Sequence, residues 1–168
     1  MDLPNRPLLK DAVRQAMLAA PALRAVEGVY AELQRRIDAR RPVCAVSGRC
    51  CRFEEFGHRL YVTTLELALF LSHDGGAGLA QATIATGCPF QVGKLCTVHP
   101  RRPFGCRIFF CDPSAEAWQQ AQYEQLHAEL KRLHESHQIP YFYVEWREAL
   151  RALQADEAGR GVSNHQSL

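Results

Sequence analysis

Residues 8–20 bring Leu8, Leu9, Ala12, Val13, Ala16 and Met17 to one face at spacings of three and four, which predicts an amphipathic helix. Pro21 opens a second helix, at a position where its missing N–H costs nothing. Leu23, Val26, Tyr30, Leu33 and Ile37 form its inner face. Arg40-Arg41-Pro42 should end it, because proline disfavours helix at the residue before it. Arg59-Leu60-Tyr61-Val62 has the character of a short strand. Thr63-x-x-Glu66 is a capping-box pattern ahead of the apolar run Leu65, Leu67, Ala68, Leu69, Phe70, Leu71. Asp74-Gly75-Gly76 should break that helix, and a short one should run from Ala77 to Ala85.

From Gly87 to Cys111 the periodicity disappears, and a hairpin is expected around Val92-Gly93-Lys94. Asp112-Pro113 then supplies N-cap and N1 of a long helix. Its expected inner face is Trp118, Ala121, Leu126, Leu130, Leu133 and His137. Ile139-Pro140 ends it, Tyr141-Phe142-Tyr143-Val144 predicts a strand, and Glu145 to Leu153 a last helix. The fold expected is mainly α, with helices flanking an irregular cysteine-rich metal-binding knot. With 168 residues one compact domain suffices. Its parts are N-terminal helices in 1–41, a cysteine-cluster core in 42–112, a long helix with a short strand and helix in 113–157, and a disordered tail in 158–168.

The cysteines change the picture most. All seven fall within residues 44–111: Cys44, Cys50, Cys51, Cys88, Cys96, Cys106 and Cys111. Thiols gathered in turn-rich segments suit a metal or an iron–sulfur cluster, whose ligands must converge on one point. Thiolate is a soft ligand that favours zinc or iron. An odd number of cysteines cannot pair fully within one chain. Adjacent Cys50 and Cys51 make a poor disulfide, because a bridge needs Cβ vectors that face each other. In an extended stretch Cys51 would point away from Cys50. Isolated buried thiols, a single catalytic thiol and disulfides are the competing readings, and none accounts as well for seven cysteines in one region.

Charge adds less. Lys and Arg number 20 against 18 Asp and Glu, a formal +2. That gives no case for nucleic-acid binding. Ionising four cysteines would bring the sum to roughly −2 before any metal is counted. Arg49, Arg52, Lys94, Arg101, Arg102 and Arg107 stand among the cysteines, where cations lower thiol pKa. The bland alternative is solvation, or pairing with Glu54, Glu55 or Asp112. His99, three residues past Cys96, is the best nitrogen ligand, and His58 the second. His127, His134 and His137 are expected at the surface or core edge, and His73 and His165 in loop and tail. Aromatic residues from Phe104 to Trp146 should pack around the centre. No apolar signal core follows the N-terminus, and the apolar run from Leu65 to Leu71 is too short to cross a bilayer. A cytoplasmic protein with reduced thiols is therefore expected.

Two stretches resemble a known family. Cys44 to Cys51 is similar to the C-x2-C-x2-C-C signature of the YkgJ-type cysteine-cluster proteins, described as zinc- or iron-chelating domains. Cys88-Pro89-Phe90, Gly93-x-Leu95-Cys96-Thr97-Val98 and Arg102-Pro103-x-x-Cys106-Arg107-x-Phe109 resemble that family's later blocks in order and spacing. The likeness covers about residues 40–112. It implies metal chelation by the cysteines, with the family's second cysteine replaced here by Ser47, a poor ligand for a soft metal. Cys111 or His99 would then complete the number. The family includes a flagellin lysine methylase, but no Gly-rich nucleotide loop is present here. The function expected is zinc or iron binding through a cysteine cluster. The alternatives are an iron–sulfur protein in electron or methyl transfer, and an adaptor whose metal holds the fold while its helices bind a protein partner. Catalysis is left open.

Overall fold

The two N-terminal helices form where the spacing predicts them. In a computed structural model of the chain, which describes residues 6–73 and 77–154, α1 is Arg6–Leu18 and α2 is Ala20–Arg40. Leu9, Ala12, Val13 and Ala16 are buried, whereas Leu8 and Met17 stay 54% and 37% exposed. The inner stripe is therefore narrower than expected. α2 ends at Arg41, which takes the left-handed conformation ahead of Pro42 (φ 52°). α3 is Phe53–Phe56 and β1 is Tyr61–Thr63.

α4, Thr64–Ser72, carries the capping box. The Glu66 backbone N–H donates to Thr63 Oγ1 and the Thr63 N–H donates to Glu66 Oε2 at 2.9 Å. Every residue from Thr64 to Leu71 is buried, so α4 is the central helix and packs against α1 and α2. α5, Ala77–Ala80, is shorter than expected; the β-branched Thr83 and Ile84 that follow favour extended backbone. The expected break at 74–76 and the expected tail from 158 lie outside the described residues.

β2 (Gln91–Val92) and β3 (Leu95–Cys96) form the expected hairpin, with Gly93 left-handed at its turn (φ 61°). α6 is Phe104–Ile108. Asp112 does act as a cap, accepting from Ser114 N at 2.9 Å. It caps a 3-10 turn, Pro113–Ala115, and α7 begins one residue later, over Glu116–Ser136. α7 buries Leu126, Leu130 and His134 rather than Ala121 and His137. His134 is thus a correction: it is a core residue, 2% exposed, with Nε2 near Leu65 N and Nδ1 near Ile139 O. Those backbone partners offset the cost of its burial.

β4 (Tyr143–Glu145) pairs antiparallel with β1, Thr63 opposite Tyr143, and α8 (Trp146–Gln154) closes the described chain. The molecule is mainly α-helical, and no helix among the described residues is long and apolar enough to cross a membrane.

Glu66 joins three of these elements. Besides Thr63 N, its carboxylate accepts from Phe104 N at 2.8 Å, at the start of α6, and from Tyr30 Oη of α2. Burial raises its pKa, and the hydrogen bonds from Thr63 and Phe104 oppose that rise. Glu66→Ala should cost about 3 kcal/mol, since two buried N–H groups lose their acceptor. A carboxyl whose pKa is raised on folding contributes less as pH rises above the ordinary carboxylate range. Denaturant titrations at several pH values should show that downward slope in the parent chain and a flatter profile in Glu66→Ala.

Candidate metal centre

The two cysteine segments are clipped together through the backbone. Cys88 N donates to Cys51 O at 2.7 Å, and Gln91 Nε2 donates to Gly48 O at 3.0 Å. Gly48 makes this approach possible. It is left-handed, and a Cβ there would stand 2.6 Å from Gln91 Nε2 and 3.1 Å from Lys94 Cα. Further holds set the flanks. Glu54 pairs with Arg147 of α8 and accepts from Gly87 N at 2.8 Å. The Arg147 guanidinium, with that N–H, brings the Glu54 carboxyl down to about 2. Val43 N donates to Asp112 Oδ2 at 3.1 Å, tying the first cysteine segment to the last.

All seven cysteines line one cavity of about 210 Å³, with Ser47, His99, Arg102, Phe90 and Trp146 among its other walls. All seven are free thiols. Cys51 stands at the middle of an inner group. Its Sγ lies 4.0 Å from Cys50 Sγ, and the Cys88 and Cys96 thiols are its other neighbours. The expectation that Cys51 faces away from Cys50 is therefore corrected. Arg49–Cys51 form a 3-10 turn, not an extended stretch, so the two side chains do not alternate. Cys44 is exposed, and Cys111 meets Ser47 Oγ at 3.6 Å. These two sit at the rim of the same cavity. Among the described residues, no group of three or more His, Cys, Asp or Glu side chains is assembled as a metal site.

The electrostatics divide the thiols. The contacts with Cys50, Cys88 and Cys96 hold a proton on Cys51, so that thiol is pushed far up. The same contacts favour ionisation of its neighbours. Cys50 comes down to about 6 and Cys96 to about 7, each helped by the Arg102 charge, and Cys88 also falls. Burial pushes Cys106 well up, with the neighbouring sulfurs adding to the effect and Arg102 opposing it. Of the cations flagged in the sequence, Arg102 is thus the one that acts on several thiols. Arg52 instead pairs with Glu55 at 2.9 Å, and Arg49 lies over the Phe56 ring. Arg107 spans from Tyr30, 4.4 Å below its guanidinium, to the carbonyls of Pro100 and Arg102.

His99 lines the cavity but is exposed; burial and the nearby Arg102 and Arg107 charges lower its pKa. His58 stacks on Phe109 and places Nε2 3.3 Å from Cys50 O, so it braces the cysteine backbone. Compared with known proteins, the chain matches no family model, no curated protein and no solved structure. The resemblance to cysteine-cluster proteins rests on the motif residues.

One residue gained weight only in three dimensions. Trp146 is buried and packs on Phe70 and Phe90, and its indole N–H makes no hydrogen bond of ordinary geometry among the described residues. It lines the cysteine cavity and lies near enough to Cys88 to favour that thiolate. A buried N–H facing a pocket of thiols fits a sulfur-ligated group, because a thiolate would supply the acceptor it lacks. The sequence showed the tryptophan but not its direction.

Gly48→Ala should separate the two segments. The substitution forces a side chain into a left-handed position against the hairpin backbone. Expected outcomes are a stability loss of about 1–3 kcal/mol and faster alkylation of Cys51 and Cys88, read by mass spectrometry. Gly57→Ala is the control: it is also left-handed but has open space around it, so strain without the faster alkylation is expected.

Proposed function

We propose that the protein binds zinc or iron through cysteine thiolates. Cys50, Cys51, Cys88 and Cys96 form the inner set, Cys106 is the adjacent half-buried thiol, and Cys44 and Cys111 are rim ligands. The observation that carries this reading is the convergence of seven cysteines from two separate segments on one small cavity, with the Trp146 indole beside Cys88. Four thiolates around zinc at about 2.3 Å put sulfurs about 3.8 Å apart, and Cys50 and Cys51 already stand at 4.0 Å. The motif likeness to zinc- or iron-chelating domains supports the same reading.

The chemistry also favours a proton-coupled site. Metal binding must expel the Cys51 proton, which the inner group retains in its absence. Arg102 would then offset part of the negative charge that four thiolates bring. The apolar walls, Phe90, Val98 and Trp146, keep water from the sulfurs and would suit zinc or an iron–sulfur cluster alike. The reading requires reduced thiols, hence a reducing compartment.

Anaerobic purification, elemental analysis and a visible spectrum test it. At least one zinc or iron per chain is expected; a brown protein with broad visible absorption identifies an iron–sulfur cluster, and a colourless one zinc. Cys51→Ser or Cys88→Ser should lower retained metal at least about tenfold, and Cys44→Ser or Cys111→Ser less. Metal-free protein with seven freely titratable thiols overturns the reading. Full metal in Cys88→Ser with none in Cys111→Ser would move the site to the Cys106–Cys111 segment.

A further inference from the structure

A second, larger cavity of about 820 Å³ adjoins the thiol cavity and shares two of its cysteines, Cys50 and Cys106. Its volume is that of a small-molecule site. Its walls are flat rings. Tyr61 and Tyr143 stack at 5.3 Å and 28°, and His58 and Phe109 at 5.7 Å and 12°. Tyr61, Tyr143 and Phe109 are 39%, 38% and 44% exposed, so parts of three rings meet solvent along one cavity. A scattered exposed ring needs no explanation, but several lining one cavity mark a binding surface.

The polar groups narrow the ligand. Tyr123 and Tyr143 share a hydrogen bond between their hydroxyls. In such a pair one O–H donates to the other, and the second O–H proton is left for an acceptor. Burial raises the pKa of both phenols, so both remain neutral donors. Arg59 lines the same cavity and is exposed, and no ion pair or hydrogen bond holds its guanidinium among the described residues. Glu116 is the one carboxylate on the lining; it would turn a negative group away from its own side.

We propose that this cavity binds a planar aromatic carboxylate, its ring against the exposed parts of Tyr61, Tyr143 and Phe109 and its anionic group on Arg59 and the tyrosine hydroxyls. Ring stacking supplies the affinity, and the guanidinium and the free hydroxyl proton supply the choice of charge. The ligand would lie beside Cys50 and Cys106. Binding does not depend on the metal reading, since none of the ring walls is a thiol.

The test titrates the full chain, with and without added zinc, with 2-naphthoate, 2-naphthylmethylamine and acetate by calorimetry. One saturable site for naphthoate is expected. Acetate should not bind, and the amine should bind at least about tenfold more weakly, the scale of one charge-assisted hydrogen bond. Arg59→Gln, an exposed position, should weaken naphthoate about three- to tenfold and leave the thermal midpoint unchanged. Phe109→Ala should weaken naphthoate and the amine alike. Equal binding of naphthoate and the amine, or an Arg59→Gln variant with parent affinity, overturns the charge assignment. Failure of both aromatic probes to bind overturns the site. Neither result bears on metal content, which the elemental analysis reads separately.

Discussion

A buried carboxylate holds the cysteine half of this molecule to its helical half. Glu66 sits in the central helix, yet its two oxygens are spent on the cap of α4, the first N–H of α6 and the hydroxyl of Tyr30 in α2. Burying a carboxyl without partners would cost several kcal/mol. With three donors the cost is partly offset, and the geometry becomes specific, because no apolar residue could cap two helices at once. α6 carries Cys106 and Arg107, and Arg107 folds back over Tyr30. The position of one wall of the thiol cavity is therefore set from inside the hydrophobic core.

The opposite wall is set by Trp146. Its backbone N–H donates to Leu60 O at 2.8 Å, next to the β1–β4 pair, while its ring joins Phe70 of α4 to Phe90 of the hairpin. Irregular chain between 81 and 103 has little core of its own. It is fixed by Trp146, by the Glu54–Arg147 pair and by the Cys88–Cys51 backbone bond. Loops so held can aim several side chains at one point, which regular helices do less freely.

Much of this was legible in the sequence, and the legible parts are local. The α1 and α2 stripes, the Thr63–Glu66 box, the Gly93 hairpin and the Asp112 cap each depend on residues a few positions apart. What was hidden depends on distant ones. Glu66 reads as one half of a capping box, and nothing nearby announces Phe104 or Tyr30. Cys51 reads as facing away from Cys50 until the chain is seen to turn at Gly48, where Gln91 and Lys94 leave no room for a side chain. His134 reads as a surface or core-edge residue because its partners, Leu65 N and Ile139 O, come from other segments. The gathering of cysteines was visible as composition; their division into an inner group and a rim was not.

The pairing of β1 with β4 has a consequence for how the chain assembles. Thr63 meets Tyr143, so the two strands close a loop that contains Cys88, Cys96, Cys106 and Cys111, while Cys44, Cys50 and Cys51 lie before it. Long loops close slowly, because chain entropy is lost before distant contacts repay it. As the chain leaves the ribosome from its N-terminus, the first three cysteines emerge well before the residues that complete their surroundings. Of the residues that line the thiol cavity only Trp146 comes from beyond β4, so that wall can be added only after the last strand has been made.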